Sequence, residues 1–272
     1  MARRVQRLDA ELVRRSLARS REQAVELIAA GRVEVRGVLA RKPATGVDID
    51  TPVRVRPDDN DPGYASRGGH KLAGALAAFG AIDVADRRCL DAGASTGGFT
   101  DVLLRSGAAH VVAVDVGYGQ LAWPLATDGR VSVIDRTNVR TLTPEAIGGP
   151  VSLTVADLSF ISLALVLPAL TACTEPDGDL LPMVKPQFEV GKDRLGAGGV
   201  VRDPQLRAEA VRAVASEAVG LGWHTAGVCR SPLPGPSGNV EFFLWLRREV
   251  QQPLDADEIN RLVVATTEGE AP

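Results

Sequence analysis

A glycine-rich turn after a short apolar segment is the first place where the sequence suggests chemistry. Residues 91–99 read Asp-Ala-Gly-Ala-Ser-Thr-Gly-Gly-Phe, so an acid stands just before the glycines. Glycines allow a tight turn and let the backbone approach a ligand that a Cβ atom would push away. Ser95 stands where the GxGxxG pattern of pyrophosphate-binding turns has its second glycine, which weakens an NAD-type interpretation.

Acids also end the next two apolar segments, at Asp115 and Asp135. Ligands of parallel sheets bind beyond the carboxyl ends of the strands, where these acids would meet. Asp115 could accept both ribose hydroxyls of a nucleoside, Asp135 with Asn138 could reach an adenine, and Asp91 could face a cationic methionine portion. The three acids therefore predict S-adenosylmethionine as cofactor. The predicted cofactor-binding residues are Asp91, Gly93, Ala94, Ser95, Thr96, Gly97, Gly98, Phe99, Asp115, Val116, Asp135, Asn138, Asp157 and Leu158.

Short apolar strands that alternate with helices must position these residues. Ser66 and Gly80 bracket a predicted helix, and Asp203-Pro204 starts a longer one, Gln205–Gly220. This alternation predicts an α/β fold with a doubly wound, mostly parallel sheet. The predicted strands are Cys89–Asp91, His110–Asp115, Val131–Asp135, Val151–Asp157, Leu180–Val184, Trp223–Ser231 and Asn239–Leu246.

The charge of the chain is unevenly distributed. The whole chain has a net charge of −3, but residues 1–42 carry +6 and the remainder carries −9. Such a step suggests a basic module attached to an acidic body, and phosphate contacts dominate nucleic-acid affinity. Residues 20–23 read as a helix-capping box, and Gly31 ends that helix before a strand and turn, "GRVEVRG".

Two short helices followed by this strand resemble the RNA-binding fold named after small-subunit ribosomal protein S-four, over about residues 5–60. The resemblance makes Arg7, Arg19, Arg21 and Lys42 candidates for phosphate contacts, and the alternative role of these residues is solubility. Residues 58–63 are polar and turn-rich, as in a linker. The predicted layout is a small α+β RNA-binding domain at 1–60, a linker at 61–66, a catalytic domain at 67–250, and a C-terminal helix and tail at 251–272.

Several protein classes are excluded by composition. The three cysteines, Cys89, Cys173 and Cys229, are far apart, which fits neither a disulfide framework nor a zinc site. No His/Cys/Asp cluster suggests a metal, and no apolar run reaches the roughly 20 residues that span a bilayer. The basic N-terminus lacks the apolar stretch of a secretory signal. These features predict a cytoplasmic protein without a metal.

Four polar residues from separate segments are the candidate catalytic residues: Lys71, Asp157, Lys185 and Glu241. This Lys-Asp-Lys-Glu set resembles the tetrad of the ribose 2′-O-methyltransferases related to FtsJ. Together with the N-terminal module, it is similar to the TlyA family of ribosomal RNA methyltransferases, also known as hemolysin A-like, in its actinobacterial type. The segments that carry the resemblance are "SRGGHKL", "LDAGASTGGFTDVLL", "VDVGYGQL", "ADLSFISL", "VKPQFE" and "PGPSGNVEFFLWL". It implies a class I, Rossmann-like methyltransferase with seven strands in the order 3-2-1-4-5-7-6.

The resemblance also implies roles for the tetrad. A ribose 2′-hydroxyl is a poor nucleophile near neutral pH, so the enzyme must orient it and ease removal of its proton. Lys185 is the candidate base or orienting group, and Lys71 beside it would favour the neutral amine. Asp157 could accept a proton from Lys185 or fix its rotamer, and Glu241 could position Lys71.

The substrate implied by the family is cytidine in 16S and 23S ribosomal RNA of the 30S and 50S subunits, with an effect on susceptibility to capreomycin-like antibiotics. Further candidate RNA contacts are Arg67, Arg136, Arg140, Lys192 and Phe160, of which Phe160 could stack on a flipped cytosine. Residues 191–199, rich in glycine, suggest a mobile lid or an RNA-contacting loop. In the predicted linker, Pro62 and Tyr64 stand where relatives have a basic residue and a tryptophan. We expect the protein to be a monomer.

Two other functions compete with this one. A non-catalytic RNA-binding factor for ribosome assembly could retain the fold, although the intact tetrad argues against it. A pore-forming hemolysin is suggested by the older name of the family. The lack of a signal peptide, a spanning helix or a long amphipathic basic helix opposes that second alternative.

Overall fold

The computed structural model describes residues 5–18, 21–56, 62–235 and 238–266. The chain divides into two compact units, one that ends at Pro62 and one that begins at Gly63. Arg19 and the predicted capping residue Ser20 lie outside the described residues.

The first unit is small and mixes helices with short strands. Its core contains Leu8, Leu12, Ala24, Ile28 and Val33, which come from both helices and from one strand. Its elements are β1 (Gln6–Arg7), α1 (Leu8–Arg14), α2 (Arg21–Ala29), β2 (Val33–Val35), β3 (Val38–Leu39), β4 (Gly46–Val47) and β5 (Val53–Val55). Two sheets form within it: β1 pairs with β4, and β2 lies between β3 and β5, with all pairs antiparallel.

The second unit alternates strands and helices, as the sequence predicts. Its strands are β6 (Arg88–Ala92), β7 (His110–Val114), β8 (Val131–Ile134), β9 (Val151–Ala156), β10 (Thr174–Val184), β11 (His224–Arg230) and β12 (Phe242–Arg247). Its helices are α3 (Gly68–Phe79), α4 (Gly98–Arg105), α5 (Trp123–Ala126), α6 (Leu167–Cys173), α7 (Pro186–Glu189), α8 (Pro204–Gly220) and α9 (Ala256–Ala265). Short 3₁₀ turns cover Val139–Thr141, Glu145–Ile147, Leu163–Leu165, Lys192–Arg194 and Ala197–Gly199.

The seven strands form one sheet in the order β11-β12-β10-β9-β6-β7-β8. The five strands from β10 to β8 are parallel, and β12 runs antiparallel to both of its neighbours. Numbered within the sheet, this is the order 3-2-1-4-5-7-6. The predicted class I methyltransferase fold is therefore confirmed.

Both faces of the sheet are covered, because successive strand residues point to opposite sides. In β6, Cys89 joins a core with Leu72 of α3 and Leu103 of α4. The next residue, Leu90, joins the opposite core, which contains residues of α6, α8 and α9. Strands β6, β7 and β9 are thus buried on both faces, which leaves their carboxyl ends as the place for polar chemistry.

The predicted strand ends were wrong by one or a few residues, and the difference bears on the site. Strands β7, β8 and β9 end one residue before Asp115, Asp135 and Asp157, so these acids lie just beyond the pairing ladder. The last strand begins at Phe242 rather than Asn239, so Glu241 precedes it. Strand β10 begins at Thr174, earlier than predicted, with a register shift between Thr174 and Asp179.

Candidate active site

The turn between β6 and α4 is built from left-handed backbone. Gly93 has a φ of 88° and Gly97 a φ of 94°, values that L side chains rarely adopt. A Cβ atom on Gly93 would lie 2.6 Å from the carbonyl oxygen of Asp157, so this glycine allows β6 and β9 to approach at their ends. Ser95 is also left-handed, with a φ of 47°. The turn therefore leads into α4 with its backbone close to the carboxyl end of β9.

Asp91 presents a buried carboxylate at the start of this turn. Its Oδ2 accepts a hydrogen bond of 2.7 Å from the Thr100 hydroxyl, while Oδ1 is buried with no hydrogen-bond partner among the described residues. Burial raises the pKa of Asp91 to about 7; the Thr100 hydrogen bonds oppose this shift, and the charges of Asp157 and Asp115 add to it. An unpaired buried oxygen costs free energy unless a donor reaches it, so the site suits a cationic or hydrogen-bonding ligand.

Backbone N–H groups hold the acids beyond β7 and β8 in place. Asp115 accepts hydrogen bonds from the backbone of Ser95, at 2.8 Å, and Gly117, at 2.7 Å. Asp135 accepts one from Gly119 at 2.9 Å. Because each carboxylate oxygen has two lone pairs, both acids keep acceptor capacity for a ligand. The Oδ1 atom of Asn138 caps the following 3₁₀ turn by accepting from the backbone of Arg140 at 3.0 Å, a structural role that the sequence analysis missed.

Two ion pairs, each with a buried lysine, unite the four residues of the predicted tetrad. Lys71 Nζ lies 2.5 Å from Glu241 Oε2, and Lys185 Nζ lies 2.6 Å from Asp157 Oδ1. Each lysine side chain is only 8% exposed, and Glu241 is fully buried. A lysine is rarely buried unless it is paired, so both positions are specific features of this site.

Strand pairing places the two ion pairs side by side. Val184 of β10 pairs with Phe242 of β12, and Lys185 and Glu241 are the next residues in that register. Directly opposed residues of antiparallel strands share one face, which brings Lys185 and the Lys71–Glu241 pair to neighbouring positions. A signal that sequence reasoning did not use is the scarcity of lysine, since the chain has only Lys42, Lys71, Lys185 and Lys192.

Ser159 is a further residue of the site, and the sequence did not predict its role. Its hydroxyl accepts a hydrogen bond of 2.9 Å from Lys185 Nζ, although its side chain is exposed. It follows Asp157 by two residues, in the loop after β9. Lys185 therefore donates to an acceptor from each of these two residues.

Two loops of the second unit carry an exposed aromatic ring, Phe160 after β9 and Tyr118 after β7. Phe160 is 91% exposed, has a φ of 63°, and its ring lies 5.2 Å from that of Phe188. The guanidinium of Arg136 lies 4.2 Å from the centre of the Tyr118 ring, an arrangement typical of cation–π contacts.

The remaining predicted RNA contacts of this unit differ in their surroundings. Arg67 donates a hydrogen bond of 3.0 Å to the carbonyl of Pro234, so one of its N–H groups already has an acceptor within the chain. Arg140 and Lys192 are exposed, the latter in the first short turn of the glycine-rich loop. Val116, a predicted cofactor contact, is 73% exposed.

In the first unit, a buried acid of α1 holds one basic residue of β1 and one of α2. Asp9, 2% exposed, pairs with Arg7 at 3.0 Å and with Arg21 at 2.9 Å. The Arg7 hydrogen bonds, helped by Arg21, hold the pKa of Asp9 well below its usual range against the effect of burial. Lys42 is exposed. Two of the predicted phosphate contacts are therefore fixed in direction by one carboxylate.

The residues of the second unit fit S-adenosylmethionine. Asp91 Oδ1 is a buried oxygen without a partner, a glycine turn allows close backbone approach, and Asp115 and Asp135 retain acceptor capacity. Among the described residues, no group of three or more His, Cys, Asp or Glu side chains could hold a metal ion. No helix in the described ranges is long and apolar enough to cross a membrane.

Comparison with known proteins gives the same assignment for both units. Residues 64–248 match the FtsJ-like methyltransferase family, and residues 6–52 match the S4 domain. The 16S/23S rRNA (cytidine-2′-O)-methyltransferase TlyA of Mycobacterium tuberculosis is 64% identical over 267 residues, which cover 97% of this chain and 98% of that protein. Hemolysin A of Brachyspira hyodysenteriae is 35% identical over 87% of this chain and 97% of its own length.

A solved structure agrees over the full length. A protein of Streptococcus thermophilus, described as a hemolysin candidate, superimposes with a TM-score of 0.77 and is 37% identical, with 98% of both chains covered. Members of the matched family are methyltransferases that use S-adenosylmethionine, the cofactor that the acids and the glycine turn predict. The chain therefore belongs to the FtsJ-like methyltransferase family, in the group with an N-terminal S4 domain that includes the TlyA proteins.

Proposed function

We propose that this chain transfers a methyl group from S-adenosylmethionine to the ribose 2′-hydroxyl of cytidine in 16S and 23S ribosomal RNA, in the small and large subunits. The observation that carries the proposal is the pair of contacts between a buried lysine and a carboxylate, Lys71–Glu241 and Lys185–Asp157, at the carboxyl end of the sheet. The names of the Mycobacterium tuberculosis relatives, 64% identical to this chain, support the choice of cytidine and of both RNAs.

Lys185 is the residue that takes the proton of the 2′-hydroxyl. Asp157 holds its Nζ at 2.6 Å, so the amine has little freedom to leave the site. S-adenosylmethionine, when bound, supplies an activated methyl group that needs no further activation by the protein. The main tasks of the chain are then to orient the hydroxyl and to accept its proton.

Lys71 supplies a fixed positive charge beside Lys185. Glu241 holds Lys71 Nζ at 2.5 Å, and the fold leaves both groups buried. Such a cation can donate a hydrogen bond to the ribose oxygen as negative charge develops on it.

The turn between β6 and α4 and the acids that follow the strands would bind the cofactor. Asp91 would hold the cationic methionine portion, Asp115 the ribose hydroxyls, and Asp135 with Asn138 the adenine. The backbone of residues 93–98 would line the cofactor, because Gly93 and Gly97 keep side chains out of the turn.

The first unit anchors the RNA. Arg7, Arg21 and Lys42 contact phosphates there, and Arg19 belongs to the same set by its sequence position. In the second unit Arg67, Arg136, Arg140 and Lys192 contact RNA around the site, and Phe160 stacks on the extruded base. RNA anchoring is assigned to residues 1–60 and catalysis to residues 67–250, with residues 61–66 as their linker.

Transfer of labelled methyl groups into ribosomal subunits that lack the modification tests this function. We expect label in a ribose 2′-O-methylcytidine of each RNA with the intact chain, and at least about a hundredfold slower labelling with Lys185→Ala. Mapping by mass spectrometry identifies the nucleotide and its position. RNA binding without any methyl transfer would instead indicate the non-catalytic assembly factor. Label on a base, rather than on a ribose, would contradict the proposed chemistry.

A further inference from the structure

Ser159 is a second acceptor for Lys185. Its Oγ lies 2.9 Å from Lys185 Nζ, while Asp157 Oδ1 lies 2.6 Å from the same atom. The two acceptors differ in charge and in exposure, because the carboxylate is partly buried and the serine side chain is exposed. Since both come from the loop after β9, they approach Nζ from fixed positions.

We propose that Ser159 is a positioning residue that aims the lone pair of Lys185 at the ribose 2′-hydroxyl. A neutral amine has two N–H groups and one lone pair in a tetrahedral arrangement. When Asp157 and Ser159 each accept one N–H, the lone pair has a single remaining direction. With Asp157 alone, the amine can rotate about the Cε–Nζ bond and direct the lone pair away from the substrate. This inference rests on the proposed 2′-O-methyl transfer.

Further contacts hold the loop of Ser159 against the segment that carries Lys185. Ser162 Oγ donates to Glu189 Oε2 at 2.6 Å, and the backbone N–H of Leu163 donates to Glu189 Oε1 at 2.9 Å. The rings of Phe160 and Phe188 lie 5.2 Å apart. Because residues 159–163 and 185–189 are tied together at these points, the Ser159–Lys185 distance is built into the fold.

The positioning role of Ser159 is consistent with the bonds that form and break, and with the proton that moves, during methyl transfer. The 2′-oxygen forms a bond to the methyl carbon while the carbon–sulfur bond breaks and leaves its electron pair on sulfur. The hydroxyl proton moves to Lys185 Nζ, which becomes an ammonium with three N–H groups. Two of them remain on Asp157 and Ser159, so neither acceptor has to move or change its protonation during the step.

Three variants test the role: Ser159→Ala, Ser159→Thr and, as a matched control, Ser132→Ala. Ser132 is also an exposed serine that contacts a basic side chain, because its Oγ lies 3.0 Å from His110 Nε2. We expect Ser159→Ala to lower kcat by about tenfold to a hundredfold, the effect of a misaligned reacting group. KM for ribosomal RNA and the dissociation constant of S-adenosylmethionine should stay within twofold. Ser159→Thr should restore most of kcat, and Ser132→Ala should match the unsubstituted chain.

A purely structural role would change thermal stability or KM and would not be rescued by threonine. A kcat of Ser159→Ala within twofold of normal would overturn the positioning role, as would a loss that threonine fails to restore. Absence of 2′-O-methylation by the unsubstituted chain would overturn the proposed function itself. The two failures are therefore distinguishable in one set of assays.

Discussion

Lys71 Nζ and Glu241 Oε2 lie 2.5 Å apart, although 170 residues separate them along the chain. Glu241 is fully buried, and its other oxygen has no hydrogen-bond partner among the described residues. A buried ion pair of this kind gains little net stability, because desolvation offsets the Coulomb attraction. Its presence therefore indicates a functional demand for charge at this position.

The first prediction separates the stability of this pair from its function. Lys71→Met leaves Glu241 buried and unpaired, so we expect it to lower the free energy of unfolding by about 3–5 kcal/mol. The double variant Lys71→Met/Glu241→Leu removes both charges and should regain most of that stability while remaining inactive. Urea unfolding and methyl transfer measure the two effects. The exposed pair Arg194–Glu209 is the control, because Glu209→Gln should leave unfolding nearly unchanged. An active double variant would rule out the electrostatic role.

The second prediction concerns Lys185 as the proton acceptor. Lys185→Ala should lower single-turnover methyl transfer by about a hundredfold to ten-thousandfold, the usual range for a general base. Lys185→Arg keeps a positive charge beside Asp157 but cannot be deprotonated, so it should be equally inactive. Cofactor affinity, measured by calorimetry, should change less than threefold in both variants. Substantial turnover by the arginine variant would show that the position requires charge rather than proton transfer.

The third prediction uses the pKa of Asp91, which burial raises to about 7 in the chain without cofactor. If the ionised carboxylate holds the cationic portion of S-adenosylmethionine, as proposed, binding below this pH must first release a proton. The dissociation constant should therefore rise by up to about tenfold for each pH unit below 7. In Asp91→Asn, binding should be weaker and nearly independent of pH between 5.5 and 7. Calorimetric titrations in that window measure both, and equal pH slopes for the two proteins would contradict the assignment.

The same carboxyl affects stability with the opposite sign. Its pKa in the folded chain lies above the unfolded value of 3.8, so the folded state binds the extra proton between these two values. The resulting stability is fully present below pH 4 and is lost as the pH rises through about 7. Asp91→Asn should therefore be more stable than the unsubstituted chain at pH 8 in the absence of cofactor, as thermal unfolding would measure.

The acids at the strand ends could be predicted from the sequence, because all parallel sheets bring the carboxyl ends of their strands to one edge. Asp115, Asp135 and Asp157 follow apolar strands, and the carboxyl ends of such strands meet at one edge. The contacts of Ser159 could not be predicted, because they depend on a loop conformation that includes left-handed Phe160. The pairing of Asp9 with both Arg7 and Arg21 could not be predicted either, because a count of charged residues does not show which basic residues are paired with acids. Long-range side-chain contacts follow from packing, which local sequence patterns do not encode.

The fourth prediction tests the basic residues of the first unit. Arg21→Ala and Lys42→Ala should each weaken RNA binding and lower the slope of log affinity against log salt by about 0.7–0.9, as expected for one lost phosphate contact. Arg130→Ala is the control, because this exposed arginine pairs with Asp128 in the second unit and has no proposed RNA contact. Binding to ribosomal RNA fragments at several salt concentrations gives the slopes. Unchanged slopes in Arg21→Ala would mean that Asp9 fully neutralises this arginine.

The last prediction concerns Phe160, which has a left-handed backbone and an exposed ring that contacts Phe188. A non-glycine residue with a φ of 63° is strained by about 1–2 kcal/mol, and a ring that is 91% exposed gains little from burial. Phe160→Gly should therefore keep or increase the free energy of unfolding. It should nevertheless lower kcat/KM for ribosomal RNA by about five- to 150-fold, since stacking on a base contributes about 1–3 kcal/mol.

Phe160→Tyr keeps a ring at the same position and should retain most of the activity, which makes it the matched control for loss of stacking. Val219→Ala controls for removal of an exposed apolar side chain, because Val219 on α8 is 52% exposed and has no proposed contact with RNA. If Phe160→Gly loses stability and activity together, the ring serves the Phe188 contact and the loop rather than the base. If stability is kept while methyl transfer falls, the strain in this residue is maintained for the substrate.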